Sequence, residues 1–233
     1  MKKAMLLRVG IDKGCGGALA PIFEDGTFEY IPIPKGDPDS SEFRTYSNTI
    51  GIGGHLFADY VPKKIKNNPM HYDPEFESFT YGDPTTKRKR LLKLNKEDLL
   101  VFYAGLTPFM NNKFDEALYI IGYFSINEII NFNELNKEET EKVSIIYKNN
   151  AHIKRNFSYH DLVIVVGDKE KSRLLDKPVL ISSRKNNKIG KSYHAVSPEM
   201  EELLGIKGSI QRSILRVIEN HENLNNLKKI LEI

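Results

Sequence analysis

The sequence has one cysteine, Cys15, and no tryptophan among its 233 residues. A single cysteine cannot form an internal disulfide, and it excludes a zinc site built on several cysteine ligands. Long apolar runs are also missing, since the longest unbroken aliphatic run, residues 162–166, is far below the roughly 20 residues that a membrane-spanning helix needs. Too few apolar residues follow Met1-Lys2-Lys3 for a secretory signal. We therefore expect a cytoplasmic protein with no membrane partner.

Metal-binding motifs are missing from the histidines as well. None of the six histidines has the HxH or HxxxH spacing that places two imidazoles on one strand or one helix face. The local motifs therefore predict no metal site, and the sequence identifies no cofactor.

The net charge of +3, from 34 Lys and Arg against 31 Asp and Glu, conceals an uneven distribution. Residues 24–42 hold six acids and one cation, whereas residues 177–218 hold eight cations and three acids. Four consecutive cations also occur, namely Lys87, Arg88, Lys89 and Arg90. Such a run is typical either of a segment that binds the phosphates of a nucleotide or nucleic acid, or of a solvated surface.

Short predicted strands outnumber the helices. Apolar runs predict strands at residues 5–9, 99–104, 117–126, 161–166 and 179–182, and Asp25-Gly26 predicts a tight turn between residues 22–23 and 28–31. Helices are predicted at residues 55–61, 136–148, 197–205 and, at the periphery, about 219–233, with a long ordered loop at 66–90. Because strands and helices do not alternate, we expect one α+β domain over residues 1–233, with a mixed β-sheet or a small barrel and peripheral helices.

A glycine-rich loop follows the first predicted strand. Its notable residues are Arg8, Asp12, Gly14, Cys15, Gly16 and Gly17. No Gly-Lys-Ser/Thr follows and Pro21 comes too early for a helix, so the loop is neither a Walker loop nor a dinucleotide fingerprint. It is either a tight structural turn or a loop whose N–H groups hold a phosphate. A second glycine cluster, residues 51–54, has the same two interpretations.

Further candidates are spread along the chain, and they are Tyr81, Tyr103, Ser182, Arg184, Gln211 and Arg212. Aromatic rings stack on bases, while hydroxyl, amide and guanidinium groups hydrogen-bond phosphates and base edges. Asp12 and Asp83 are candidate general acids or bases. Cys15 is either a small filler in its loop or a nucleophile paired with a distant histidine.

Three blocks of the sequence resemble a known family. The first block is Arg8-Val-Gly-Ile-Asp12 with Ala20 through Pro34. The second is Asp73-Pro74-Glu75 with Thr80-Tyr81-Gly82-Asp83 and Asp98 through Leu106. The third is Ala195 through Met200 with Gly208-Ser209-Ile-Gln211-Arg212. Over about residues 4–218 the chain is similar to the nucleotide modification associated domain 3 family. The resemblance implies a nucleotide context without a particular reaction. Relatives often carry a small polar residue or glycine where this chain has Cys15, which argues against an essential cysteine nucleophile.

The middle of the chain also resembles PUA-like folds, a group that includes EVE, YTH and ASCH domains. The similarity lies in Glu97-Asp98-Leu-Leu-Val-Phe-Tyr103 and in Tyr119 through Glu128. It implies a base held in an aromatic pocket on a small barrel.

These observations predict a nucleotide or nucleic-acid binding domain associated with modified bases. In this hypothesis one pocket is formed by Arg8, Asp12, the glycine loop, Tyr81, Asp83 and Arg212. A base stacks on Tyr81 or Tyr103 in that pocket, and the phosphates are held by Arg184 and residues 87–90. Two alternatives remain open. One is an enzyme of nucleotide modification or hydrolysis that uses Asp12 or Asp83, and the other is an interaction module that serves a partner enzyme of a base-modification system.

Overall fold

The computed structural model describes residues 2–35, 41–155 and 159–233. Its strands are β1 (Ala4–Arg8), β2 (Ala20–Ile22), β3 (Ile33–Pro34), β4 (Met70–His71), β5 (Thr80–Asp83), β6 (Leu99–Pro108), β7 (Ala117–Asn131), β8 (Val163–Gly167), β9 (Arg173–Leu180), β10 (Ser182–Asn186), β11 (Ser192–Val196) and β12 (Arg216–Ile218). Its α-helices are α1 (Arg88–Leu91), α2 (Lys137–Ile146), α3 (Pro198–Leu204) and α4 (His221–Ile230). Short 3-10 helices span Phe57–Asp59, Lys63–Ile65, Phe132–Glu134 and Ile153–Arg155. Asp37 and Asp39 of the acidic segment lie outside the described residues.

Eight of the strands form one mixed sheet. Its main path runs β12-β1-β6-β7-β8-β5, with β2 also pairing β6 and β9 pairing β7. β1 and β2 are both parallel to β6, and the other pairs in the sheet are antiparallel. Within the described ranges β12 and β5 do not pair with each other, so the sheet is open. The α+β class is confirmed, and of the two predicted forms the mixed sheet is the one observed.

Alternation along the strands gives the sheet two buried faces. Successive side chains of a strand point to opposite sides, so in β1 Met5 and Leu7 enter one hydrophobic core while Ala4 and Leu6 enter another. We call these sides the first face and the second face. The second face is covered by α3, α4, the β10–β11 hairpin and the residue before it, which contribute Ile181, Val196, Met200, Leu204, Leu224 and Leu227. Burial on both faces explains why the central strands β1, β6, β7 and β8 are largely apolar in sequence.

The predicted helices at 136–148, 197–205 and 219–233 are confirmed to within a few residues, because capping residues mark their ends. Asn136 and Glu139 form a capping box at the start of α2. The side chain of Ser197 caps α3, Pro198 is its first residue, and Gly205 ends it at a φ of 66°. None of the described helices has the length and apolar composition needed to span a membrane.

The prediction of one long loop at residues 66–90 is wrong. Thr80–Asp83 forms β5, which is buried against β8, and the basic run continues into α1. The short strand has few apolar residues of its own, so its pairing with the fully apolar β8 decides its conformation. The predicted helix at 55–61 is limited to the 3-10 turn Phe57–Asp59.

The tight turn at Asp25-Gly26 is confirmed. The N–H of Gly26 donates to the carbonyl of Phe23 (3.0 Å), and Gly26 has a φ of 86°. The returning segment meets β2 through one bridge, between Ile22 and Phe28, instead of through a full second strand.

Candidate anion-binding cleft

A cavity of about 670 Å³ opens where the carboxyl ends of β1 and β6 meet the β10–β11 hairpin. Arg8 follows Leu6 by two residues and Gly105 follows Tyr103 by two, so both continue the second face beyond its core. We call this cavity the basic cleft and define it by its charged lining residues, Arg8, Asp12, Lys13, Glu116, Arg184 and Arg212.

Asp12 lies between two arginines. Its Oδ2 accepts hydrogen bonds from Nε (3.0 Å) and Nη2 (2.8 Å) of Arg212 and is 3.5 Å from Nη2 of Arg8. Its Oδ1 accepts the backbone N–H groups of Gly14 (2.9 Å) and Cys15 (2.7 Å). Although burial opposes the shift, the charge and hydrogen bonds of Arg212 hold the pKa of Asp12 below its ordinary value. Asp12 is therefore an ionised anchor for the loop and for Arg212, which is a poor state for a general acid.

Glu116 is the second carboxylate that lines the basic cleft, and it too lies between two cations. Its Oε1 lies 2.6 Å from Nζ of Lys13 and 3.0 Å from Nη2 of Arg184. Each carboxylate of the basic cleft is thus shared by two cations. Four cations against two carboxylates leave a positive surplus that attracts anions.

His194 lines the cleft beside Arg184, its cross-strand partner in the hairpin. Burial, followed by the charges of Arg184 and Arg8, lowers the pKa of His194, so its ring is neutral at pH 7. Its Nδ1 is 3.3 Å from Oγ of Ser182, which also accepts the N–H of Leu118 (2.9 Å). Ser182 therefore lies behind the cleft wall and orients His194.

The residues of the glycine loop have two different roles. Gly14 and Cys15 line the cleft, but their N–H groups already bind the carboxylate of Asp12. Gly16 has a φ of 104°, and a Cβ there would lie 2.5 Å from the side chain of Ile11. Gly17 also has a left-handed φ, of 81°. The loop thus combines a turn that requires glycine with a wall of the cleft.

Tyr103 and Gln211 do not line the basic cleft. The Tyr103 ring is fully buried, and its hydroxyl donates to the backbone carbonyl of Gln211 (3.4 Å). The side chain of Gln211 is exposed and contacts Oγ of Ser209 (3.3 Å). Tyr103 therefore supports the segment that carries Arg212, and its ring is not available for stacking in this structure.

Tyr81 and Asp83 lie in the core on β5. Their residues are only 3% and 5% exposed, and the hydroxyl of Tyr81 faces Oδ2 of Asp83 at 3.3 Å. Oδ1 of Asp83 accepts both the N–H (2.7 Å) and the hydroxyl (2.6 Å) of Thr85. Tyr81 packs against Phe102, with the ring centroids 5.8 Å apart. Neither residue reaches the basic cleft.

The run of cations at Lys87–Arg90 lies away from the basic cleft. Lys87 is 3.8 Å from Asp83, and Arg88 forms an ion pair with Asp161. Lys89 and Arg90 are exposed. Two of the four charges are therefore partly neutralised within the chain, and the run does not act as one free patch.

The second glycine cluster binds an anion that belongs to the chain itself. The N–H of Gly53 donates to Oε1 of Glu29 (2.8 Å), and a side chain at Gly51 would overlap the same carboxylate. Burial raises the pKa of Glu29, although the N–H groups of Gly53 and Ile52 oppose this. The cluster therefore holds Glu29 and does not join the basic cleft.

Sequence reasoning missed several cleft residues, among them Lys13, Glu116, Tyr193 and His194. It also missed a second group of interest. His71, Asp73 and His152 come together although 79 residues separate Asp73 from His152 and no local motif links them. The available signal was only that His71 lies two residues before Asp73, the first residue of one of the blocks that carry the family resemblance.

The fold and the basic cleft together define an α+β protein with a cationic cavity at the ends of its parallel strands. The chain belongs to the family described as nucleotide modification associated domain 3, whose model matches residues 3–203. Membership associates the chain with nucleotide modification. No curated protein and no solved structure significantly matches it.

Proposed function

We propose that the basic cleft binds the phosphate of a nucleotide, free or within a nucleic acid, in a system that handles modified bases. The observation that carries the proposal is the charge pattern, in which Asp12 and Glu116 are each shared by two cations. A phosphate supplies the negative charge that this arrangement lacks, and the guanidinium nitrogens that do not already bind Asp12, Gly10 or Glu116 can donate to it. The family association with nucleotide modification favours a nucleotide over other anions.

Arg184 and Arg212 are the proposed phosphate ligands. Their side chains are 59% and 31% exposed, and both line the cleft. Arg8 is only 18% exposed, so it contributes charge from behind. Tyr193 lines the cleft and is 37% exposed, so it takes the base-stacking role first assigned to Tyr81 and Tyr103. Such stacking contributes about 1–3 kcal/mol per base.

The enzyme alternative is weaker if Asp12 or Asp83 has to be the general acid or base. Both oxygens of Asp12 and both oxygens of Asp83 are engaged within the chain. Within the cleft, the neutral His194 is better suited to accept a proton. Binding therefore stands as the proposed activity, and a partner enzyme of the modification system supplies the reaction.

The proposal is tested by titrating the full chain with nucleoside phosphates and with short DNA and RNA, with and without modified bases, at several salt concentrations. Arg184→Ala and Arg212→Ala should each weaken binding about tenfold or more. Each should also reduce, by about one, the slope of the logarithm of the binding constant against the logarithm of the salt concentration. Arg90→Ala is the matched control, because Arg90 is exposed and lies outside the cleft. It should leave affinity unchanged.

Absence of binding to every nucleotide and nucleic acid would reject the proposal. An equal loss of affinity in Arg90→Ala would indicate that the nucleotide binds at the basic run Lys87–Arg90 and not in the cleft. Product analysis of the same mixtures tests turnover, and a product formed by the purified chain would favour the enzyme alternative.

A further inference from the structure

Three potential metal ligands meet in the interior beside β5. His71 lies on β4, Asp73 follows two residues later, and His152 precedes the 3-10 helix Ile153–Arg155. One ring nitrogen of each histidine and one oxygen of Asp73 all lie within 4.8 Å of one another. Nε2 of His152 is 3.4 Å from Oδ2 of Asp73. Ligands placed about 2.0–2.2 Å from a metal at tetrahedral angles are about 3.3–3.6 Å apart, so this pair already has the required separation.

The ring of His71 has an unused nitrogen. The residue is 5% exposed, and within the described part of the chain no donor or acceptor pairs with its buried Nδ1. Buried polar atoms are nearly always paired, so an orphaned nitrogen on a histidine that lies close to two other ligand-type side chains indicates a missing partner. The rings of His71 and His152 are perpendicular with centroids 4.7 Å apart, so the two imidazoles are in direct contact.

The surrounding backbone positions the other two side chains. The N–H of Gly82 donates to Oδ1 of Asp73 (2.8 Å), which leaves Oδ2 directed towards His152. A Cβ on Gly82 would lie 2.6 Å from Cδ2 of His152, so the histidine packs directly on this glycine. The side chain of Asn150 accepts the backbone N–H of His152 (2.9 Å). Supporting contacts of this kind are what metal ligands require in order to keep their orientation.

The charges around the three groups act in opposite directions. The positive charges of Arg155 and Lys35 near His71 oppose a bound cation, whereas the carboxylate of Asp73 favours it.

From this geometry we infer that His71, Asp73 and His152 bind one divalent transition-metal ion, with Zn²⁺ and Fe²⁺ as the ions that suit two imidazoles and one carboxylate. Three protein ligands leave at least one coordination position for water. The site is separate from the basic cleft, which none of the three residues lines. The inference therefore does not depend on nucleotide binding.

The test uses the full chain without a histidine tag. Bound metal is removed with a chelator, Zn²⁺ is titrated in competition with a chromophoric chelator, and the retained metal is counted by elemental mass spectrometry. We expect one Zn²⁺ per chain. Co²⁺ should give the visible absorption of a tetrahedral site, and an anaerobic titration with Fe²⁺ shows which ion binds more tightly.

His152→Gln and Asp73→Asn should each lower Zn²⁺ affinity by more than about 100-fold, since even the loss of a supporting contact costs 10–100-fold. His55→Gln is the matched control, because His55 is exposed and distant in sequence from the three ligands. It should bind Zn²⁺ as the parent chain does.

Two results would overturn the inference. One is a parent chain that retains no stoichiometric Zn²⁺ or Fe²⁺, and this result does not depend on whether the variants fold. The other is unchanged affinity in folded His152→Gln and Asp73→Asn, which would locate any bound metal elsewhere.

Discussion

Arg212 donates two hydrogen bonds to one carboxylate oxygen of Asp12, across 200 residues of chain. The same guanidinium also donates to the backbone carbonyl of Gly10. The contact joins the glycine loop after β1 to the segment before β12. It fixes the side chain proposed to hold a phosphate, and it also occupies the carboxylate that would otherwise be a catalytic candidate.

Replacing Asp12 with Asn should loosen this junction. The substitution removes the ionic partner of Arg212 and Arg8 and leaves two cations close together. We expect a loss of about 1–3 kcal/mol in the free energy of unfolding, the range for weakening hydrogen bonds to a charged group. Urea denaturation of the two proteins measures it. Unchanged stability would show that the hydrogen bonds to Gly10 and to the loop are sufficient without the charge.

Neutralising Glu116 should strengthen anion binding. Glu116→Gln frees Lys13 and Arg184 from their shared carboxylate, so a nucleotide should bind about two- to fivefold more tightly at low salt, and the gain should shrink as salt screens the charges. Isothermal titration with one nucleotide at two salt concentrations measures this. A weaker affinity would mean that Glu116 is needed to orient Arg184.

Gly16 should tolerate substitution poorly, and Gly14 provides its control. At Gly16 a side chain would have to adopt a φ of 104° and overlap Ile11, so Gly16→Ala should destabilise the fold by about 1–3 kcal/mol. At Gly14 the nearest atom to a new Cβ is Oδ1 of Asp12 at 3.4 Å, which is an ordinary contact. Gly14→Ala should therefore change the thermal midpoint little. Equal effects of the two substitutions would contradict this account of the loop.

Glu42 should make stability depend on pH in the acid range. Although burial opposes the shift, hydrogen bonds from Arg44 and Lys154 lower the pKa of Glu42 from 4.5 to about 2. Because the folded value is the lower one, the stabilisation is complete above about pH 4.5 and is lost as the pH falls towards 2. Urea unfolding between these pH values should show that the free energy of unfolding falls more steeply with decreasing pH in the parent chain than in Glu42→Gln. Parallel declines would exclude Glu42 as the titrating group.

Local signals were sufficient for much of the fold. The apolar run at Leu99–Ala104 predicted the first part of β6, and Ser197-Pro198 with Gly205 predicted both ends of α3. These elements depend on residues adjacent in sequence. β5 was missed because its conformation depends on β8, about 80 residues away.

The same distinction applies to the candidate site. Arg8, Asp12, Arg184 and Arg212 were selected for their chemistry, and the structure places all four around one cavity. Tyr81 was selected for the same kind of reason, but its side chain points into the core. Sequence shows which side chains can bind a phosphate, but the sheet pairing decides which face each one occupies.

The short strand β12 has a consequence for any shortened version of the chain. It pairs with β1 through Ala4–Ile218, Met5–Val217 and Leu6–Arg216, yet it lies beyond residue 203, where the family match ends. A chain cut at that boundary would leave β1 with unpaired N–H and C=O groups along a strand of buried aliphatic residues, which is a template for intermolecular strand pairing. Expression of such a fragment should therefore yield aggregates, and a usable boundary has to lie beyond Ile218.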